Sequence, residues 1–73
     1  MARLPVLSGQ EVARTFQRLG WIVARSGNHI ILVKEGHSAT WSVLNHKEVS
    51  KGTLRSLIRD AGLTVAEFVA AVP

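Results

Sequence analysis

Trp21-Ile22-Val23-Ala24-Arg25, Gly27-Asn28 and His29-Ile30-Ile31-Leu32-Val33-Lys34 form the stretch on which the fold turns. Two runs rich in β-forming residues around a Gly-Asn pair read as a tight hairpin. A two-residue turn at Gly27-Asn28 pairs Ser26 with His29 and sorts the strand residues into two sets. Ile22, Ala24, Ile31 and Val33 share one face; Trp21, Val23, Ile30 and Leu32 share the other. A slip of one residue would exchange them. Both sets are apolar near the middle, and helices can cover only one. The other is therefore expected to be a binding surface.

Outward from the hairpin, Glu35-Gly36-His37-Ser38 reads as a second turn and residues 39–44 as a third strand, with Trp41 and Val43 pointing the same way. Upstream, Ser8-Gly9-Gln10-Glu11 has the form of a capping box. Val12, Phe16 and Leu19 follow at i, i+4 and i+7, and Gly20 stops the pattern, which predicts a helix over 9–19. Downstream of Lys51, the residues Leu54, Leu57, Ile58 and Ala61 return to helical spacing, with Gly62 placed just past the end. Thr64-Val65-Ala66-Glu67 is a second capping box, opening a short helix that carries Phe68 and Val69. The order α-β-β-β-α-α is an α+β fold: a three-stranded antiparallel sheet with helices packed on one face.

The chain has 73 residues, enough for a single domain over 1–73 with a small core. Without cysteine it has neither disulfides nor a thiolate metal site. A hydrophobic share of 47% against 19% charged residues excludes a disordered tail. No apolar run approaches the ~18 residues of a membrane span, and no signal-peptide core opens the chain, so a cytoplasmic protein without membrane contact is expected. Nine Lys and Arg against five Asp and Glu give a net charge of +4. The sequence pI near 10.8 lies above the ~9 at which a nucleic-acid partner becomes a reasonable expectation.

No glycine-rich phosphate loop, carboxylate pair or His-x-x-x-His occurs, and the spacing of His29, His37 and His46 matches no zinc signature. No metal or other cofactor is expected. His29 opens the second strand after the Gly-Asn turn, on a rigid element near solvent. That position suits a general acid or base, and equally a polar residue that merely flanks a turn. His46 follows the third strand beside Asn45 and Lys47. Lys51, Arg55 and Arg59 recur at i, i+4 and i+8, away from the apolar stripe of their helix. Such a row suits a phosphate backbone, or is a solvated face. The backbone N–H groups from Ser50 to Thr53 add the anion preference of a helix N-terminus.

These segments carry a resemblance. Gly27-Asn28-His29 resembles the Gly/Ser/Asn-then-His signature of the HicA-type mRNA interferase toxins. Val43-Leu44-Asn45-His46 is similar to that family's Val-Pro-x-His, and Lys51-Gly52-Thr53-Leu54-Arg55, with Ile58 and Ala61-Gly62-Leu63, resembles its Lys-Gly-Thr-Leu-Arg helix. Gly20-Trp21 and the 64–68 segment fit as well, so the resemblance spans about residues 8–69. Leu44 replaces the family's common proline, and Ser50 stands where a helix-starting proline is frequent; both bear on loop shape more than on chemistry.

The resemblance implies a double-stranded-RNA-binding-domain-like fold and the toxin of a type II toxin–antitoxin system. It further implies a metal-independent endoribonuclease that cleaves mRNA with one essential histidine, which falls on His29. Its implied partner is a HicB-type antitoxin that masks that histidine. RNA contact is expected at Asn28, His46, Lys47, Lys51, Arg55 and Arg59, with no DNA bound by this chain alone. The alternatives are a non-catalytic RNA-binding module of the same shape and a purely protein-binding domain. Trp21 or Trp41 is a candidate anchor for the partner unless both pack beneath the first helix.

Overall fold

The computed structural model describes residues 3–36, 38 and 40–73. Among them the chain runs α1 (Gly9–Arg18), β1 (Ile22–Arg25), β2 (His29–Val33), β3 (Trp41–Leu44), α2 (Lys51–Asp60) and α3 (Val65–Ala70). The strands form one antiparallel sheet in the order β1-β2-β3. This is the expected α+β fold, in the α-β-β-β-α order of double-stranded-RNA-binding-like domains with a third helix appended. His37 and Ala39 lie outside the described residues, and the third strand begins at Trp41. No helix among the described residues is long and apolar enough to cross a membrane.

Both capping boxes form. The Glu11 N–H donates to Ser8 Oγ at 3.1 Å, and the Ser8 N–H donates to Glu11 Oε1 at 3.0 Å. The Ser8 backbone N–H foremost, and the Ser8 side chain after it, hold the Glu11 carboxyl below its ordinary pKa. Thr64 and Glu67 repeat the arrangement at α3. Leu19 caps α1, which therefore ends one residue earlier than expected. Gly62 follows the C-cap Ala61 at φ +74°, a left-handed position that glycine takes without strain.

Period-2 alternation decides the packing. Ile30, Leu32, Trp41 and Val43 face inward and join Val12 and Phe16 of α1, Leu54 and Ile58 of α2 and Phe68 of α3 in one core. Its centre is aromatic. The Trp21 and Trp41 rings stack at 3.9 Å. Phe16 stands edge-on to them at 6.1 and 5.4 Å, and Phe68 leans on Phe16 at 5.2 Å. With exposures of 3% and 8%, neither tryptophan can anchor a partner, which corrects that expectation. The period of α1 and the alternation of β3 bring their large apolar residues to the same layer, so the core absorbs both rings.

The hairpin needs a second correction. At its open end Ile22 pairs with Val33 and Val23 with Leu32, as a two-residue turn would require. The register then shifts, and Arg25 pairs with Ile31. Ala24 is thus the extra residue of a β-bulge, and the loop is the three-residue Ser26-Gly27-Asn28. The cause lies in Arg25. In unbroken alternation it would follow Trp21 and Val23 onto the buried face, where an unpaired guanidinium is costly. The bulge returns it to the outer face.

Candidate functional site

The candidate site lies on the outer face of the sheet. His29 pairs with Leu44, and Ile31 with Ser42, so these four side chains share that face with Arg25. His29 and Arg25 are exposed, as is Ser42. Around His29 lies an open concavity of about 590 Å³ lined by Arg25, Ser26, Gly27, Asn28, His29, Ile31 and Ser42. It is basic on one side, hydroxyl-bearing on the other, and contains one imidazole on a strand.

The turn that delivers His29 is pinned from β3. The Asn45 N–H donates to the Asn28 carbonyl at 2.9 Å, and Asn45 Nδ2 donates to the Gly27 carbonyl at 3.0 Å. One residue further, the His46 carbonyl accepts the Gly9 N–H at 2.9 Å, and the Val49 N–H donates to the Leu7 carbonyl at 2.8 Å. Gly9 is buried there, and a Cβ at that position would overlap the Leu44 carbonyl oxygen. The exit of β3 is thus held between the hairpin turn and the start of α1. Asn28 takes part through its carbonyl, while the residue as a whole is exposed.

His46 sits apart from His29. It lines a second, smaller concavity of about 280 Å³ with Ser42, Leu44, Glu48, Val49, Ser50 and Thr53. Ser42 belongs to both hollows, so the two adjoin along the outer face. Lys47, Lys51, Arg55 and Arg59 are all exposed and line neither. Arg59 approaches Asp60 at 4.0 Å. The N-terminus of α2 is partly spent on its own cap: the Thr53 N–H donates to Ser50 Oγ at 3.3 Å, and that hydroxyl donates to Thr53 Oγ1 at 2.8 Å. Thr53 therefore offers no free N–H, contrary to expectation. Among the described residues, no three His, Asp or Glu side chains sit together as metal ligands.

Sequence reasoning assigned no role to Arg25, Ser42 and Asn45. Arg25 was legible as a conflict, a cation falling in phase with the buried face. Asn45 left no such signal, because its side-chain bond to Gly27 spans 18 positions in the chain.

The family model for the HicA toxin of bacterial toxin–antitoxin matches residues 9–63, a span that runs from α1 to just past α2 and contains both concavities. No curated protein and no solved structure matches the chain.

Proposed function

Because the chain belongs to the HicA toxin family of bacterial toxin–antitoxin systems, we propose that it is a metal-independent endoribonuclease that cleaves mRNA with His29 as its essential histidine. The observation that carries this is the position of His29: exposed, on a strand rather than a loop, and in a concavity it shares with Arg25. RNA brings its own nucleophile. The His29 imidazole takes the proton of a 2′-OH as that oxygen attacks the adjacent phosphorus. The P–O5′ bond breaks, leaving a 2′,3′-cyclic phosphate, and water protonates the departing 5′-oxygen. Arg25 stabilises the charge gathering on the phosphoryl oxygens. Asn28, His46 and Lys47 contact the strand, and the row Lys51, Arg55 and Arg59 holds its backbone beyond the hollow. One histidine in place of an acid–base pair makes a slow enzyme, which suits a toxin.

Family membership implies an antitoxin partner. In our reading it is of HicB type and lies across the His29 end of the hairpin, excluding RNA. Ile22 and Leu44, 59% and 47% exposed, offer it apolar contact in place of the buried tryptophans. Binding of this kind stabilises the fold by mass action, by about 2.7 kcal/mol at a hundred times Kd, and so raises the melting temperature.

The test is His29→Ala. Cleavage of a labelled single-stranded transcript in excess EDTA should fall about 10²–10⁴-fold, with the circular dichroism melt unchanged. Cleavage at the wild-type rate in a folded variant removes His29 from the mechanism. Loss of wild-type cutting in EDTA, restored by magnesium, ends the metal-free reading. RNA affinity without any cutting by the wild type returns the chain to the alternative, a non-catalytic binding module.

A further inference from the structure

The smaller hollow beside the His29 site combines features that a phosphate site would not. Its volume of about 280 Å³ falls just below the roughly 300–1,000 Å³ of pockets for drug-sized ligands. Leu44, half-exposed, gives it an apolar wall, and buried Val49 closes its floor. His46 contributes a planar ring, and Ser42, Ser50, Thr53 and Glu48 form a polar rim.

Glu48 is the informative residue. Of the five acids, Glu11 and Glu67 close capping boxes, Asp60 lies beside Arg59, and Glu35 sits in the turn after β2, outside this hollow. Among the described residues Glu48 has no ion pair, and it stands exposed on the rim. A carboxylate repels phosphate, and the cap of α2 already uses the Thr53 N–H and the Ser50 hydroxyl. A ring with donors on its edge meets both conditions.

We propose that this hollow is a nucleobase subsite that selects guanine next to the cleaved bond, an assignment that rests on the ribonuclease reading above. Leu44 and His29 are cross-strand partners on one face. A ribose at His29 therefore places a neighbouring base over Leu44, where His46 stacks on it. The two oxygens of Glu48 accept from guanine N1–H and N2–H together. Adenine and cytosine present one amine beside a ring acceptor, and uracil presents one N–H, so none gives the carboxylate two adjacent donors. The pairing edge must be free, which restricts the site to unpaired RNA.

Backbone amide NMR of the full chain, titrated separately with GMP, AMP, CMP and UMP, tests the pocket without any catalytic step. GMP should shift the Leu44, Glu48 and Thr53 amides and bind about tenfold or more tighter than the others. Glu48→Gln should erase that preference with the protein still folded. Equal binding of all four nucleotides, shifts elsewhere, or a guanine preference that survives Glu48→Gln overturns the proposal. In a second arm, the ends of cleaved transcripts are sequenced. Wild-type cuts should flank guanosine, and cuts by Glu48→Gln should lose that bias. Cutting by the wild type without guanine bias overturns the subsite and leaves His29 untouched. Failure of the wild type to cut any RNA strikes the ribonuclease reading, while the nucleotide titration still decides the pocket.

Discussion

On the inner face of the sheet Ile30, Leu32, Trp41 and Val43 are buried beneath the helices; on the outer face, one residue along in each strand, Ile31 is half-buried and His29, Ser42 and Leu44 are exposed. The same two strands serve both faces. Strand alternation lets neighbours in sequence take separate tasks, one holding the molecule together and the next meeting a ligand. A small domain gains from this, since its core is too small to give residues away. It follows that inner-face changes should act through stability, and outer-face changes through activity at nearly constant stability.

The sharpest way to break the comparison is at Leu32, fully buried at the centre of the inner face. Leu32→Ala should cost about 2–5 kcal/mol in urea denaturation, much of the stability of a domain this size. Arg25→Ala on the outer face should cost a charge-assisted contact of about 1.5–3 kcal/mol in the transition state, read as a ten- to hundredfold slower transcript cleavage. Its melt should stay within about 0.5 kcal/mol of wild type. If Arg25→Ala unfolds the chain, the bulge holds Arg25 for structural reasons and the two faces are not separable.

Gly9 tests whether the faces meet at the exit of β3. Alanine in place of glycine ordinarily favours a helix, yet here the added methyl meets the Leu44 backbone, which cannot yield as a side chain does. Gly9→Ala should therefore destabilise by about 1–3 kcal/mol, as overpacking does. It should also disturb the amide resonances of Asn45 and His46. A stabilised Gly9→Ala variant would show that this loop moves freely.

The smallest effect concerns Glu11, exposed in the first turn of α1. Its carboxyl is held below the ordinary glutamate value of 4.5 by the Ser8 bonds. Folding thus favours the ionised form, and the contribution is fully present above that value. It fades as pH falls below 4.5 through the lower folded-state pKa. Melting temperature in wild type should drop more between pH 5 and pH 3 than in Glu11→Gln, a window set by that shift. Parallel curves would mean the box contributes nothing measurable.

The elements themselves were legible because each is written locally. The Ser8 and Thr64 boxes, the i, i+4 spacing of Val12 and Phe16 and the glycine after α2 act within one or two turns of chain. The assignment of residues to the two faces was also legible away from the turn, since alternation needs only neighbours. His29 could be singled out as an exposed strand-end histidine for the same reason. What could not be read locally was which alternation survives near the turn. That depended on the cost of burying Arg25, and the bulge at Ala24 resolved it.

The sequence by itself determined the order of the elements, the apolar inner face and the candidate histidine, because propensity, capping and period act over a few residues. Only the tertiary structure decided that both tryptophans stack in the core, that Asn45 ties the hairpin turn across to β3, and that Arg25 shares a hollow with His29 while His46 and Glu48 line another. The tryptophan stack and the Asn45 bonds join residues far apart in the chain, and the two hollows take shape only once β3 is paired with β2. Such contacts form where packing and hydrogen-bond satisfaction in the folded molecule outweigh the entropy of bringing the segments together, a balance that no single segment contains.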